Sequence, residues 1–199
     1  MSFQYYEELK QLARAVRQQN GIDGPRVLKS QIKKIYKDLN IVLDYWPHPL
    51  KTLRGVYFND SNGVSIMIYK NLPEDPMVFT MAHELKHHLV DSAEGLVNCI
   101  NGNINRKIEI GAEVFAAEFL FPEADFIQAM SKMGVMEGCC SAEAIVRVKR
   151  ETKTTLSYAG LVKKAEWLKF AAKGILPRSG WKKLEEEIYG VPFYKRRKN

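Results

Sequence analysis

The sequence predicts an α+β fold: a small antiparallel sheet packed on a single His-bearing helix, followed by a helical C-terminal portion. Three observations predict it. Short β-branched and aromatic runs at 41–45, 54–59 and 64–69 read as strands. Asp60-Ser61-Asn62-Gly63 has the composition of a hairpin turn between the last two, which makes the sheet mainly antiparallel. Beyond residue 76 the apolar residues recur at helical spacing.

The elements follow in order. Residues 3–19 form an amphipathic helix that Gly21 and Gly24-Pro25 stop. Residues 27–39 form a second, with Ile32, Ile35, Tyr36 and Leu39 on one side. The three strands come next. In the helix 76–91, Asp75 is placed to cap and Pro76 to occupy the first helical position. Val78, Met81, Ala82, Leu85 and Leu89 form its apolar stripe. Residues 93–107 are polar, with two Gly and four Asn, and read as a loop. Residues 108–121 are helical up to Pro122, 124–132 form a short helix, and 134–140 break the pattern. Helices at 142–152, 156–172 and 179–189 complete the chain. The reading divides it into a catalytic-type domain over 1–125 and a basic helical portion over 126–199 packed on it.

Composition excludes several classes. The 199 residues can bury a core without staples. No apolar run is long enough to span a bilayer, and the first helix carries Glu7, Glu8, Lys10 and Arg14, unlike a signal peptide. Cys99, Cys139 and Cys140 make no disulfide framework, so a reducing cytoplasm is the expected compartment; the adjacent pair reads as small, inert side chains. Charge is uneven: residues 145–199 hold 15 Lys/Arg against 5 Asp/Glu, and residues 1–144 hold 15 against 18. Lys195-Arg196-Arg197-Lys198 closes the chain. No aromatic stacking platform accompanies this charge, so no direct DNA binding is expected, and without a spanning run no membrane partner is expected either.

The chemistry lies in His83-Glu84-Leu85-Lys86-His87. Positions i and i+4 share a helix face, so His83 and His87 can aim two imidazole nitrogens at one point. Zn²⁺ accepts such ligands and, in catalytic sites, keeps one of four positions for water. Glu84 is placed to serve that water as general base, the arrangement of a zinc metallopeptidase. A third protein ligand is required. Val90 and Ala93 occupy the Gly and His positions of the metzincin continuation, which excludes that class. His88 points about a hundred degrees away around the helix, and His48, between two prolines, is expected in solvent. The next helix offers Glu109, Glu113 and Glu118.

Two segments carry a resemblance to a family: Phe79-Thr80-Met81-Ala82-His83-Glu84-Leu85-Lys86-His87, and Glu109-Ile110-Gly111-Ala112-Glu113-Val114-Phe115-Ala116-Ala117-Glu118-Phe119-Leu120-Phe121-Pro122. In this order they resemble the ImmA/IrrE metallopeptidases, a gluzincin-like group with a zincin-type helix. The hairpin, with Gly55, fits as well, and residues 50–125 carry most of the likeness. The resemblance implies zinc held by His83, His87 and Glu109, with Glu84 as the catalytic base. Glu113 stands where the family usually has Asn, a position suited to orienting a ligating His, although Glu113 as the ligand itself stays open. Glu118 is expected at the surface. Lys86 replaces a commoner small residue and adds charge near the cleft.

The reading is a zinc-dependent endopeptidase. The resemblance further implies a protein substrate, a helix-turn-helix transcriptional repressor, and a role in gene regulation. Tyr57, Tyr69, His88 and Tyr158 are candidates for stabilising an oxyanion. Two rivals stand beside it: a regulatory protein-binding or DNA-binding module with a structural zinc, and a zinc hydrolase of non-peptide substrates.

Overall fold

A computed structural model describes residues 2–48, 54–92 and 106–192. Within them the chain runs α1 (Ser2–Gln19), α2 (Lys29–Asp38), β1 (Val42–Trp46), β2 (Gly55–Asp60), β3 (Gly63–Tyr69), α3 (Glu74–Val90), α4 (Arg106–Leu120), α5 (Glu123–Lys132), α6 (Ala142–Thr152), α7 (Tyr158–Trp167) and α8 (Trp181–Tyr189). The class is α+β, as the sequence predicts.

The sheet differs from expectation in one respect. β2 and β3 form the expected antiparallel hairpin, with Asp60 facing Gly63 across a turn that the Asp60 side chain braces by accepting from Asn62 N at 2.7 Å. But the strand order is β1-β3-β2, and β1 pairs with β3 in parallel, Val42 opposite Ser65 through Trp46 opposite Tyr69. The sheet is therefore mixed. The connection from β1 carries the chain to the far edge, and the hairpin returns β3 to the centre, so β3 must run with β1. Being central, β3 buries Ile66 and Ile68 completely, at the period of two that a half-covered strand requires.

Helix α3 lies between the sheet and α4. Of its expected stripe, Val78, Met81, Ala82 and Leu85 are fully covered and Leu89 is half-buried. The helix starts earlier than its Asp-Pro pair suggests. Pro73 is its N-cap and Pro76 falls within the first turn, where a missing N–H costs no helical bond. Asp75 is thus no cap; its carboxylate takes an ion pair from Lys149 of α6 at 2.6 Å. Tyr36 of α2, also fully buried, donates to Met81 O at 2.6 Å and fixes α2 on α3.

Helix α4 is held from both sides. Gly111 lets α1 come close: a Cβ there would lie 2.8 Å from Tyr5 Oη and 2.9 Å from Leu9 Cδ1. Glu118, expected at the surface, is instead 1 % exposed. It accepts from Arg14 of α1 at 2.7 Å, from Lys164 of α7 at 3.0 Å, and from the Glu123 backbone at the head of α5. A carboxylate can be buried when several donors meet it, and here they come from three other helices. The helix expected over 156–172 stops at Trp167, with Leu168 as C-cap and Lys169 in the left-handed region. Cys140 is buried and Cys139 exposed. Most of the 93–107 loop, Cys99 and the terminal basic run lie outside the described residues. No helix of the described residues is long and apolar enough to cross a membrane.

Candidate metal centre

His83 and His87 sit one turn apart on α3, and Glu109 opens α4 opposite them. The fold brings these three together. Their ligand atoms lie within 4.8 Å of one another. His83 Nε2 is 3.3 Å from one Glu109 oxygen, and His87 Nε2 is 3.6 Å from the other. Two imidazole nitrogens and a carboxylate oxygen form a donor set that suits zinc.

His87 gives the sharper test of fit. It is completely buried, and its Nε2 has no hydrogen-bond partner. A buried polar atom left unpaired is costly unless something binds it. Its other nitrogen is committed: Nδ1 lies 2.7 Å from Asp91 Oδ2. An ionised carboxylate can only accept, so Nδ1 carries a proton, and in the neutral ring Nε2 then presents its lone pair to the cluster. That is the tautomer a metal ligand needs.

The sequence assigned the orienting role to Glu113. The structure places Glu113 elsewhere: its side chain is half exposed and pairs with Lys163 of α7 at 2.9 Å. The carboxylate on the histidine is Asp91, from α3 itself. Burial works against the Asp91 anion, but hydrogen bonds from His87 and Lys86 outweigh it and hold its pKa below the ordinary value. Lys86 is likewise not at the cleft. It is completely buried beneath the ligands, 2.6 Å from Asp91 Oδ2.

Glu84 is 2 % exposed, and its Oε2 has no partner. Burial pushes its carboxyl above the usual range, while His83 and His87 pull the other way. For His83, burial lowers the pKa, but the hydrogen bond to Glu109 and the charges of Glu84 and Glu109 raise it further, so the net shift is upward. Strand β2 closes the site from the sheet side. A Cβ on Gly55 would lie 2.5 Å from Thr80 Cγ2 and 2.6 Å from Glu84 Oε1. Gly55 has no left-handed backbone here, so it is the close approach that calls for glycine.

A cavity of about 580 Å³ lies between α1, α3, α4 and α7, and none of His83, Glu84, His87 and Glu109 lines it. Phe79 lines it one turn before His83, and Ile110, Val114, Ala117 and Trp167 make most of its wall apolar. Of the other candidates, Tyr57 Oη and His88 Nδ1 lie 3.3 Å apart and hydrogen-bond each other. Tyr158 stacks on Trp181 with ring centroids 5.1 Å apart. His48 is exposed, as expected.

Residues 36–158 match the model of the family Peptidase_M78, the IrrE N-terminal-like domain. The chain belongs to this family. The IrrE-like match spans both segments that carry the sequence resemblance and continues through α5 and α6 to the first residue of α7. Among solved structures, one similar to this IrrE-like chain is a Mycobacterium tuberculosis transcriptional regulator, with a TM-score of 0.53 and 14 % sequence identity. The likeness covers 80 % of this chain and 46 % of that one, so the chain spans about half the length of the regulator it matches. At this identity the likeness is one of fold. No curated protein matches the chain significantly.

Proposed function

We propose that this IrrE-like chain is a zinc-dependent endopeptidase whose substrate is a regulatory protein, a helix-turn-helix transcriptional repressor. One observation carries the reading. Three metal-donor atoms converge beside a buried carboxylate oxygen, Glu84 Oε2, that has no partner of its own. A purely structural zinc has no use for such a carboxylate, because its protein ligands fill all four positions. Here the described residues would supply three ligands, and Glu84, next to His83 in the chain, is left with a carboxylate oxygen that pairs with nothing.

His83, His87 and Glu109 would hold the metal. Bound there, zinc supplies Lewis acidity toward a carbonyl oxygen and lowers the pKa of water toward ~7. The rest is the work of the chain. Glu84 accepts the attacking water's proton on Oε2 and delivers it to the departing amine nitrogen. Its burial keeps the carboxyl less acidic than in water, which suits a group that must both take and return a proton near neutrality. Asp91 holds His87 in the ligating tautomer. The apolar cavity beside Phe79 gives the side chains of a bound polypeptide a place to rest. The repressor as substrate follows from the family resemblance, and the regulator-like fold of the solved neighbour is in keeping with it.

Glu84→Gln tests the reading. Glutamine cannot accept the proton, and general-base contributions are typically ~10²–10⁴-fold. The variant should keep its zinc and its fold and lose cleavage of a helix-turn-helix repressor encoded nearby. If it relieves repression as well as the wild type does, the protein acts by binding and the peptidase reading fails.

A further inference from the structure

We propose that Lys86 is a positioning residue for the metal centre: its buried ammonium governs how Asp91 holds His87 and ties that histidine to the helix end that presents Glu109. The inference rests on the metal-binding reading above and extends it to a residue that touches no ligand atom.

Lysine at this depth is unusual. A lysine side chain normally runs its stem along apolar surface and leaves its head in water. Lys86 has no exposed surface at all. Its Nζ lies 2.6 Å from Asp91 Oδ2 and 3.2 Å from the carbonyl oxygen of Ile108. Both contacts lead to the candidate ligands. Asp91 uses the same oxygen, Oδ2, to accept from His87 Nδ1 at 2.7 Å. Two donors therefore share one acceptor atom, and a change in either bond must alter the other. The Ile108 carbonyl belongs to the same peptide unit as the Glu109 nitrogen. Lys86 thus fixes the backbone plane from which the Glu109 side chain departs, in the first turn of α4.

Charge makes the same point. Asp91 is buried, and a carboxylate there needs more than one imidazole N–H to replace its water. Without the ammonium, the carboxylate would pull harder on the Nδ1 proton or turn away to find another donor. Either change moves the ring and its Nε2. Groups behind a metal ligand typically alter metal affinity ~10–100-fold when removed.

The test uses the full chain and zinc alone. Wild type, Lys86→Met, Asp91→Asn and the double variant are compared for zinc affinity by chelator competition and for the visible spectrum of the cobalt-substituted protein. Lys86→Met should bind zinc ~10–100-fold more weakly and shift the cobalt bands. In the Asp91→Asn background the same Lys86→Met change should have a much smaller effect, because the residue acts largely through Asp91. The double variant leaves no unpaired buried charge, so it should fold even if Lys86→Met alone does not, and that pattern would support the pairing. A second readout needs no variant. In the wild type the ¹⁵N signal of the Lys86 ammonium should be protected from exchange and should move when zinc is added. A folded Lys86→Met protein with wild-type zinc affinity and cobalt spectrum would overturn the proposal, as would an ammonium signal indifferent to zinc. Failure of the wild type to bind zinc would overturn the metal centre itself, and this role with it.

Discussion

Replacing Gly55 with alanine tests whether the sheet sets the position of the Glu84 carboxylate. The added Cβ would fall 2.5 Å from Thr80 Cγ2, 2.6 Å from Glu84 Oε1 and 3.0 Å from Glu84 Cγ. Thr80 has little freedom, because its hydroxyl donates to Pro76 O at 2.8 Å. The Glu84 carboxylate has no such tether on Oε2 and is the part that yields. To recover an ordinary contact its Oε1 must retreat from 2.6 to 3.4 Å, or the whole strand must lift. A misplacement on the order of 1 Å in a reacting group can cost ~10²-fold in rate. Overpacking of a buried contact costs about 1–3 kcal/mol in stability. At about 2–4 °C per kcal/mol for a chain of this size, the melting temperature should fall by roughly 2–12 °C. None of His83, His87 and Glu109 is touched, so zinc content should be unchanged. The assay pairs kcat/KM on a protein substrate with metal analysis and calorimetry on the same preparation. Wild-type cleavage together with a wild-type melting temperature would show that β2 accommodates the methyl group and that Gly55 does not set Glu84. Loss of zinc along with activity would show that the strain spreads to the ligands.

Other expected outcomes follow from the same geometry. Glu109→Gln should abolish stoichiometric zinc binding, whereas Glu113→Gln should leave it intact, because Glu113 pairs with Lys163 near the surface; metal analysis of the two variants, with zinc lost from the wrong one, would exchange the roles. The Cys140 thiol, pushed up to about 11 by burial, should be ~0.1 % thiolate at pH 8 and gain about tenfold per pH unit, so alkylation followed by peptide mapping should mark exposed Cys139 well before Cys140. Equal labelling of the two at pH 8 in the folded protein would contradict that burial.

Much of the fold was legible because its elements are locally determined. The stripe of Val78, Met81, Ala82 and Leu85 specifies α3 by its own spacing, and Asp60 to Gly63 specifies the hairpin. The pairing of β1 was not legible. Nothing in residues 42–46 says which neighbour the strand will take, and a parallel partner two strands later in the chain is a long-range outcome. Glu118 illustrates a related limit. An acid on a helix reads as solvent-facing until Arg14, Lys164 and the Glu123 backbone, distant in sequence or across a proline, converge on it.

The candidate site divides along the same line. His83, Glu84 and His87 follow from one helix and one motif, and Glu109 required the family resemblance to pick among three acids. The choice of Glu113 as the orienting carboxylate looked for a partner on the next helix, but the partner is on the same one. Asp91 stands four residues after His87, the same i,i+4 relation that pairs His83 with His87. That rule, continued one more turn along α3, puts His83, His87 and the Asp91 carboxylate in a single stack. The spacing was visible, and the expected helix ran to residue 91; what the sequence did not show is that Asp91 is buried with its carboxylate on the His87 ring. Asp91 does this as the C-cap of α3, its own N–H bonded to His87 O at 2.9 Å. The residue that ends the helix thus also orients the His87 ring one turn before it. Its burial beside the ring then calls for a second donor, which accounts for a lysine at position 86 where a small residue would otherwise pack.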